Sequence, residues 1–119
     1  MPWASRPSDQ RRFPRFKSDV SAIATVLGDR EIMSFRARCD NISEGGLSAH
    51  GLSPLALGDR VTLELQLPVS THPIRVETMV VRRGVDRCGL EFLSLSDYHR
   101  NLVKRYCHIQ PKEKPRRWL

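Results

Sequence analysis

Long apolar runs are missing from this 119-residue sequence. None approaches the ~20 residues that a membrane-spanning helix needs, so insertion into a bilayer is not expected. The first residues, MPWASRPSDQRRFPRF, lack the apolar core of a secretion signal. Cysteine is scarce. Cys39, Cys88 and Cys107 are far apart and include no C-x-x-C pair, which argues against a zinc site and a disulfide framework. A reducing, cytoplasmic setting is the expectation. The phosphate-cradling motifs G-x-x-x-x-G-K-[ST] and G-x-G-x-x-G are absent, as are H-E-x-x-H and G-x-S-x-G. His50, His72, His99 and His108 are scattered without ligand spacing. Asp40 and Glu44 are near in sequence, but nothing beside them resembles a substrate pocket. No catalytic residue, metal site or resident cofactor is expected, and the chain reads as something other than an enzyme.

What is present in excess is positive charge, at the two ends. Lys and Arg number 20 against 13 Asp and Glu, a net charge of +7. Residues 1–17 hold Arg6, Arg11, Arg12, Arg15 and Lys17 against Asp9. Residues 104–119 hold Lys104, Arg105, Lys112, Lys114, Arg116 and Arg117 against Glu113. The body between them is slightly acidic. A protein that binds nucleic acid generally spreads its cations over a face, to neutralise several phosphates. Cations confined to two flanks fit a compact anion better, or simply solvated ends.

Periodicity divides the chain into a proline- and arginine-rich lead-in (1–17), a body (18–110) and a basic tail (111–119). In the body, Val20–Leu27 is β-branched and ends at a Gly28-Asp29-Arg30 turn. Met33, Phe35, Ala37 and Cys39 alternate with polar residues, as on a strand with one wet face. Gly46–Gly51 is a short strand. Val61, Leu63, Leu65 and Leu67 give the cleanest alternation in the chain. Ile74–Arg83 and Asp86–Phe92 form two more strands across a Gly84-Val85 turn. After Phe92 the period lengthens. Ser94 with Asp97 predicts a helix start, and Tyr98, Leu102, Tyr106 and Ile109 predict its apolar stripe. About six strands and one terminal helix, with no strand–helix–strand alternation, imply a small antiparallel barrel.

Two segments carry candidate chemistry. In Gln10-Arg11-Arg12-Phe13-Pro14-Arg15, Pro14 fixes its own φ and pushes Phe13 towards an extended backbone. Arg11 and Arg15 thus lie on a stiff stretch. A guanidinium fork matches both a phosphate and the O6/N7 edge of guanine, and it can stack on a base. The second segment is Asp40-Asn41-Ile42-Ser43-Glu44-Gly45-Gly46, at a strand end, where glycines permit close backbone approach. Its plainer reading is an Asx or Ser turn.

The order R-x-x-x-R, two strands, [DN]-x-S-x-x-G resembles the PilZ family, and the resemblance extends through Cys88-Gly89-Leu90-Glu91-Phe92 and the following helix, over about residues 10–107. It implies an all-β six-stranded antiparallel barrel with a C-terminal helix that binds cyclic di-GMP. It implies Arg11 and Arg15 as clamps, Asn41, Ser43 and Gly46 as the opposite wall, and Arg12 as an extra phosphate contact. Members that take a stacked pair of ligands often carry another arginine where this chain has Gln10, so one and two bound molecules both stay open. The output is expected to be a ligand-dependent change around the arginine segment, read by a partner protein. Two alternatives are a ligand-independent adaptor of the same fold and a barrel for single-stranded nucleic acid. The last needs aromatic platforms on strands. Only Phe35 and Phe92 fall there, both at core-facing positions, so neither DNA nor RNA is expected as a partner.

Overall fold

A computed structural model describes residues 13–28 and 30–112. Six strands run β1 (Phe16–Leu27), β2 (Ile32–Ile42), β3 (Gly46–His50), β4 (Arg60–Leu65), β5 (Ile74–Arg83) and β6 (Arg87–Ser94), followed by helix α1 (Asp97–His108). They close into an antiparallel barrel in the order β1-β2-β3-β6-β5-β4, with β1 paired to β4 across the seam. Closure pairs every strand with a neighbour on both sides over part of its length, which limits the exposed edge of strands this short.

The strand alternation specifies what fills the barrel. Val61, Leu63, Leu65 and Leu67 are all fully buried, as their spacing predicts. Ala22, Ala24, Val76, Val80, Cys88 and Leu90 join them from other staves. Thr78 is the polar exception at the centre, and its hydroxyl donates to the Val61 carbonyl at 2.8 Å. That bond removes the cost of burying an unpaired hydroxyl.

Four expectations are corrected. β1 begins at Phe16 rather than Val20, and an isolated bridge joins Phe16 to Lys112. The helix is capped by Ser96, whose hydroxyl accepts the His99 amide at 3.0 Å, while Ser94 still belongs to β6. The buried face of α1 is Leu102, Val103, Tyr106 and Cys107, whereas Tyr98 and Ile109 stand in solvent. The β1–β2 hairpin also projects beyond the barrel rim. Met33 is consequently exposed and Phe35 and Ala37 only half-buried, although their alternation is regular.

The start of β1 is pinned to α1 and the segment that follows it. Tyr106 Oη lies 2.8 Å from Ser18 Oγ. The Lys17 amide donates to the Pro111 carbonyl at 2.8 Å, Gln110 Nε2 donates to the Lys17 carbonyl at 3.0 Å, and Phe16 bridges to Lys112.

β3 and β6 approach closely at Gly46, where an added Cβ would lie 2.1 Å from the Leu90 carbonyl oxygen. Backbone on both sides leaves nothing to yield. Gly46→Ala is expected to lower stability by about 3 kcal/mol or more, the upper end of overpacking costs. Gly84→Ala serves as the control, because its methyl would meet nothing nearer than 3.6 Å. Matching urea midpoints for the two variants would show that β3 and β6 can spread.

All three cysteines are free and buried. Desolvation pushes the Cys39 and Cys107 thiols up from 9.0 to about 12. In the unfolded chain they ionise near their ordinary value, so above it the unfolded state holds fewer protons than the native one. Their contribution to stability is therefore complete below pH ~9 and declines as the pH rises towards 12. Urea midpoints across that range should fall. At pH 8, alkylation of both thiols by iodoacetamide should proceed only as fast as the chain opens, and rapid labelling under native conditions would contradict their burial.

Candidate functional site

A β-strand that must bury both Cys39 and Ile42 cannot keep strict alternation, since the two are three residues apart. β2 resolves this by slipping one residue against β3 between Cys39 and Asn41, and β1 slips against the same stretch between Lys17 and Val20. Asp40 and Asn41 are thereby left off the core together. Such a bulge re-aims side chains at a sheet surface.

Asp40 is held on three sides. Ser48 Oγ donates to its Oδ1 at 2.7 Å, and His50 Nε2 lies 3.0 Å from its Oδ2. Arg87 Nε is 3.0 Å from the same oxygen, an ion pair whose N–H is not aligned for a hydrogen bond, while Arg87 Nη2 donates to Ser48 Oγ at 3.0 Å. This lattice ties β2, β3 and β6 together behind the bulge.

Asn41, 2% exposed, receives Arg15: Nη1 donates to its Oδ1 at 3.1 Å. Ser43 builds the turn that follows. Its amide donates to the Gly46 carbonyl at 2.8 Å, and its hydroxyl accepts the Gly45 amide at 3.1 Å. Gly45 is where the lead-in docks, since a Cβ there would come within 3.1 Å of the Phe13 ring. Phe13 and Arg15 thus rest against the β2–β3 turn, with Pro14 between them.

Between this segment, the turn and β6 lies a cleft of about 320 Å³. Arg15, Arg82 and Arg100 bring guanidinium groups to it, and Glu44 and Glu91 bring carboxylates. Phe92 and Leu95 give it an apolar floor. Arg82 is reached by one rung across the barrel wall, Asn41–Ser48–Gly89–Arg82, and the bare Gly89 leaves space for its side chain.

Of the residues singled out from the sequence, Arg15, Asn41, Ser43 and Gly46 come together here. Arg11 and Arg12 lie outside the described residues. Arg82, Glu91 and Arg100 were not foreseen. Arg82 and Glu91 sit within strand patterns that read as ordinary wet faces, and only the inter-strand register brings them opposite the turn. Among the described residues, no group of three His, Cys, Asp or Glu side chains could hold a metal ion, and no helix is long and apolar enough to cross a membrane.

The barrel is similar to several solved structures. The PilZ domain of YcgR from Escherichia coli, described with c-di-GMP, superposes with a TM-score of 0.64 at 19% identity, covering 83% of this chain and 89% of that one. The Bacillus subtilis inhibitor of motility (MotI/DgrA) gives 0.66 at 21% identity, over 82% of this chain and 49% of that one, so this chain spans about half its length. The PilZ domain of CeSA from a cellulose-synthesizing bacterium gives 0.60 at 14% identity, over 79% and 94%. At such identities the likeness is one of fold. A search of curated proteins finds no match. The family itself rests on the sequence: the PilZ domain model matches residues 9–108, from just before the arginine segment to the end of α1, and the chain belongs to that family.

Proposed function

We propose that this chain is a receptor module for cyclic di-GMP, held between the arginine segment and the β2–β3 turn, and that it passes the signal to a partner protein. The observation that carries the reading is the docking of Arg15 on Asn41 at the mouth of the cleft. It joins the two sequence segments that the resemblance links to one ligand. The E. coli YcgR domain, which shares the fold, is described with c-di-GMP.

The chemistry suits a guanine-bearing dianion. Guanidinium forks match phosphate oxygens and the O6/N7 edge of guanine, and carboxylates accept from its N2 amino group. Among the described residues, the cleft's three arginines are nearly balanced by Glu44 and Glu91. The two further arginines, Arg11 and Arg12, therefore supply most of the excess charge that draws a dianion in. This explains why such a site needs the lead-in as well as the barrel.

Asn41 is covered and acts by orienting Arg15, and Ser43 acts by closing the turn. Gly46 acts by letting the turn sit tight against β6. Arg15 and Arg11 grip the ligand directly, with Arg12 on a phosphate.

Each charge-assisted hydrogen bond is worth roughly 1.5–3 kcal/mol. Arg11→Ala and Arg15→Ala should therefore each weaken cyclic di-GMP binding roughly 10- to 100-fold in calorimetry. Asn41→Ala should weaken it less, and Arg15→Ala should leave little further loss to Asn41→Ala in the double variant. Wild-type affinity in either arginine variant would overturn the clamp, and additive losses would place Asn41 in direct contact with ligand instead. The same titration gives the stoichiometry that Gln10 leaves open.

A further inference from the structure

Helix α1 turns one face to the barrel and leaves the opposite one bare. Tyr98, Asn101, Arg105 and His108 follow one another at spacings of three and four, so they form a single stripe on that bare face. Half-buried Lys104 borders it, and exposed Lys112 follows four residues past the helix end, bridged to Phe16 of β1. Its apolar members stand at the two ends, Tyr98 at 67% and Ile109 at 63% exposure. The helix contains one acid, Asp97, in its first turn. From Arg100 to Lys112 the sequence has no Asp or Glu at all.

We propose that this stripe is a docking face for an acidic amphipathic segment of a partner protein. Such a segment sets carboxylates against Lys104, Arg105 and His108, and apolar side chains against Tyr98 and Ile109. The inference rests on the reading that the domain signals to a protein, and it names the surface and the partner's chemistry.

Charge selects this occupant over the others. The parts of the chain outside the description cannot complement the stripe, because residues 1–12 carry Arg6, Arg11 and Arg12 against Asp9, and residues 113–119 carry Lys114, Arg116 and Arg117 against Glu113. A second copy brings the same net +7. Nucleic acid needs successive stacking platforms, and Tyr98 is the stripe's single aromatic. A membrane surface needs a continuous apolar face, whereas here two apolar side chains stand about three turns apart. Tyrosine and arginine beside a modest apolar contact match the composition of protein interfaces.

The test uses the full chain and two synthetic 20-residue peptides of equal Glu and Leu content. One is arranged with a single apolar helical face, and the other is scrambled. Amide spectra followed through the titration should show shifts confined to residues 98–112. Binding of the amphipathic peptide should be at least ~5-fold tighter than that of the scrambled one. Arg105→Glu should weaken it ~10-fold or more, and Tyr98→Ala ~5-fold. Ile32→Ser, on the exposed hairpin at the far rim, should leave it unchanged. Equal binding of the two peptides, shifts centred on the hairpin, or indifference to Arg105→Glu would overturn the proposal. So would larger shifts on this face from oligo-dT or from phosphatidylglycerol vesicles. Cyclic di-GMP is titrated into the same variants by calorimetry. Loss of that heat with peptide binding intact bears on the receptor reading alone, and the converse result bears on the docking face alone.

Discussion

The site depends on two residues occupying a place in β2 where alternation allows one. Cys39 and Ile42 are both fully buried. The strand must therefore gain a residue between them or expose one of them. Gaining a residue frees Asp40 and Asn41 for the outer wall, at the cost of interrupting the ladder. The interruption is compensated by Ser48, His50 and Arg87 gathering on Asp40. Asn41 is then fixed where Arg15 can reach it. Without the bulge, Asn41 would turn towards the barrel interior, and the arginine segment would have no anchor on the wall.

Much of the barrel could be read from the sequence because a small closed barrel has one inside. Where a stave crosses that interior without a bulge, period two holds, as at Val61 to Leu67 and along Ile74 to Val80. The reading fails where alternation continues without an interior to fill. Met33 keeps the pattern of Cys39, but it lies on the part of the hairpin beyond the rim. In α1, Tyr98 and Ile109 share a helical spacing with Leu102 and Tyr106, but spacing alone does not say which turn meets the barrel. The packed surface is a patch of four residues, Leu102, Val103, Tyr106 and Cys107, near the middle and C-terminal half of the helix.

The candidate site divides in the same way. Arg15, Asn41, Ser43 and Gly46 belong to short local patterns, so their chemistry could be inferred before their positions. Asp40 with Arg87, or the turn with Arg82, are pairings across some forty residues that exist only once β2, β3, β6 and β5 are in register. Phe13 is intermediate. The sequence gives its stiffness, through Pro14. Its resting place against Gly45 depends on the missing side chain there, since a Cβ would press on the ring itself.

The bonds between the start of β1 and the segment after α1 limit how an arginine segment on this barrel can move. From Phe16 onward, the start of β1 is bonded to Gln110, Pro111 and Lys112, and Ser18 is bonded to Tyr106. Motion at the cleft therefore has two routes. It can be confined to residues before Phe16, pivoting where Arg15 leaves Asn41, and then the barrel is unaffected. Alternatively it can draw on β1 itself, and then it must carry residues 110–112 along, because those bonds join the two. Those residues lie at the C-terminal end of the basic stripe on α1. A shift of the start of β1 is thus felt directly at the end of α1, through the four links that join Phe16, Lys17 and Ser18 to residues 106–112.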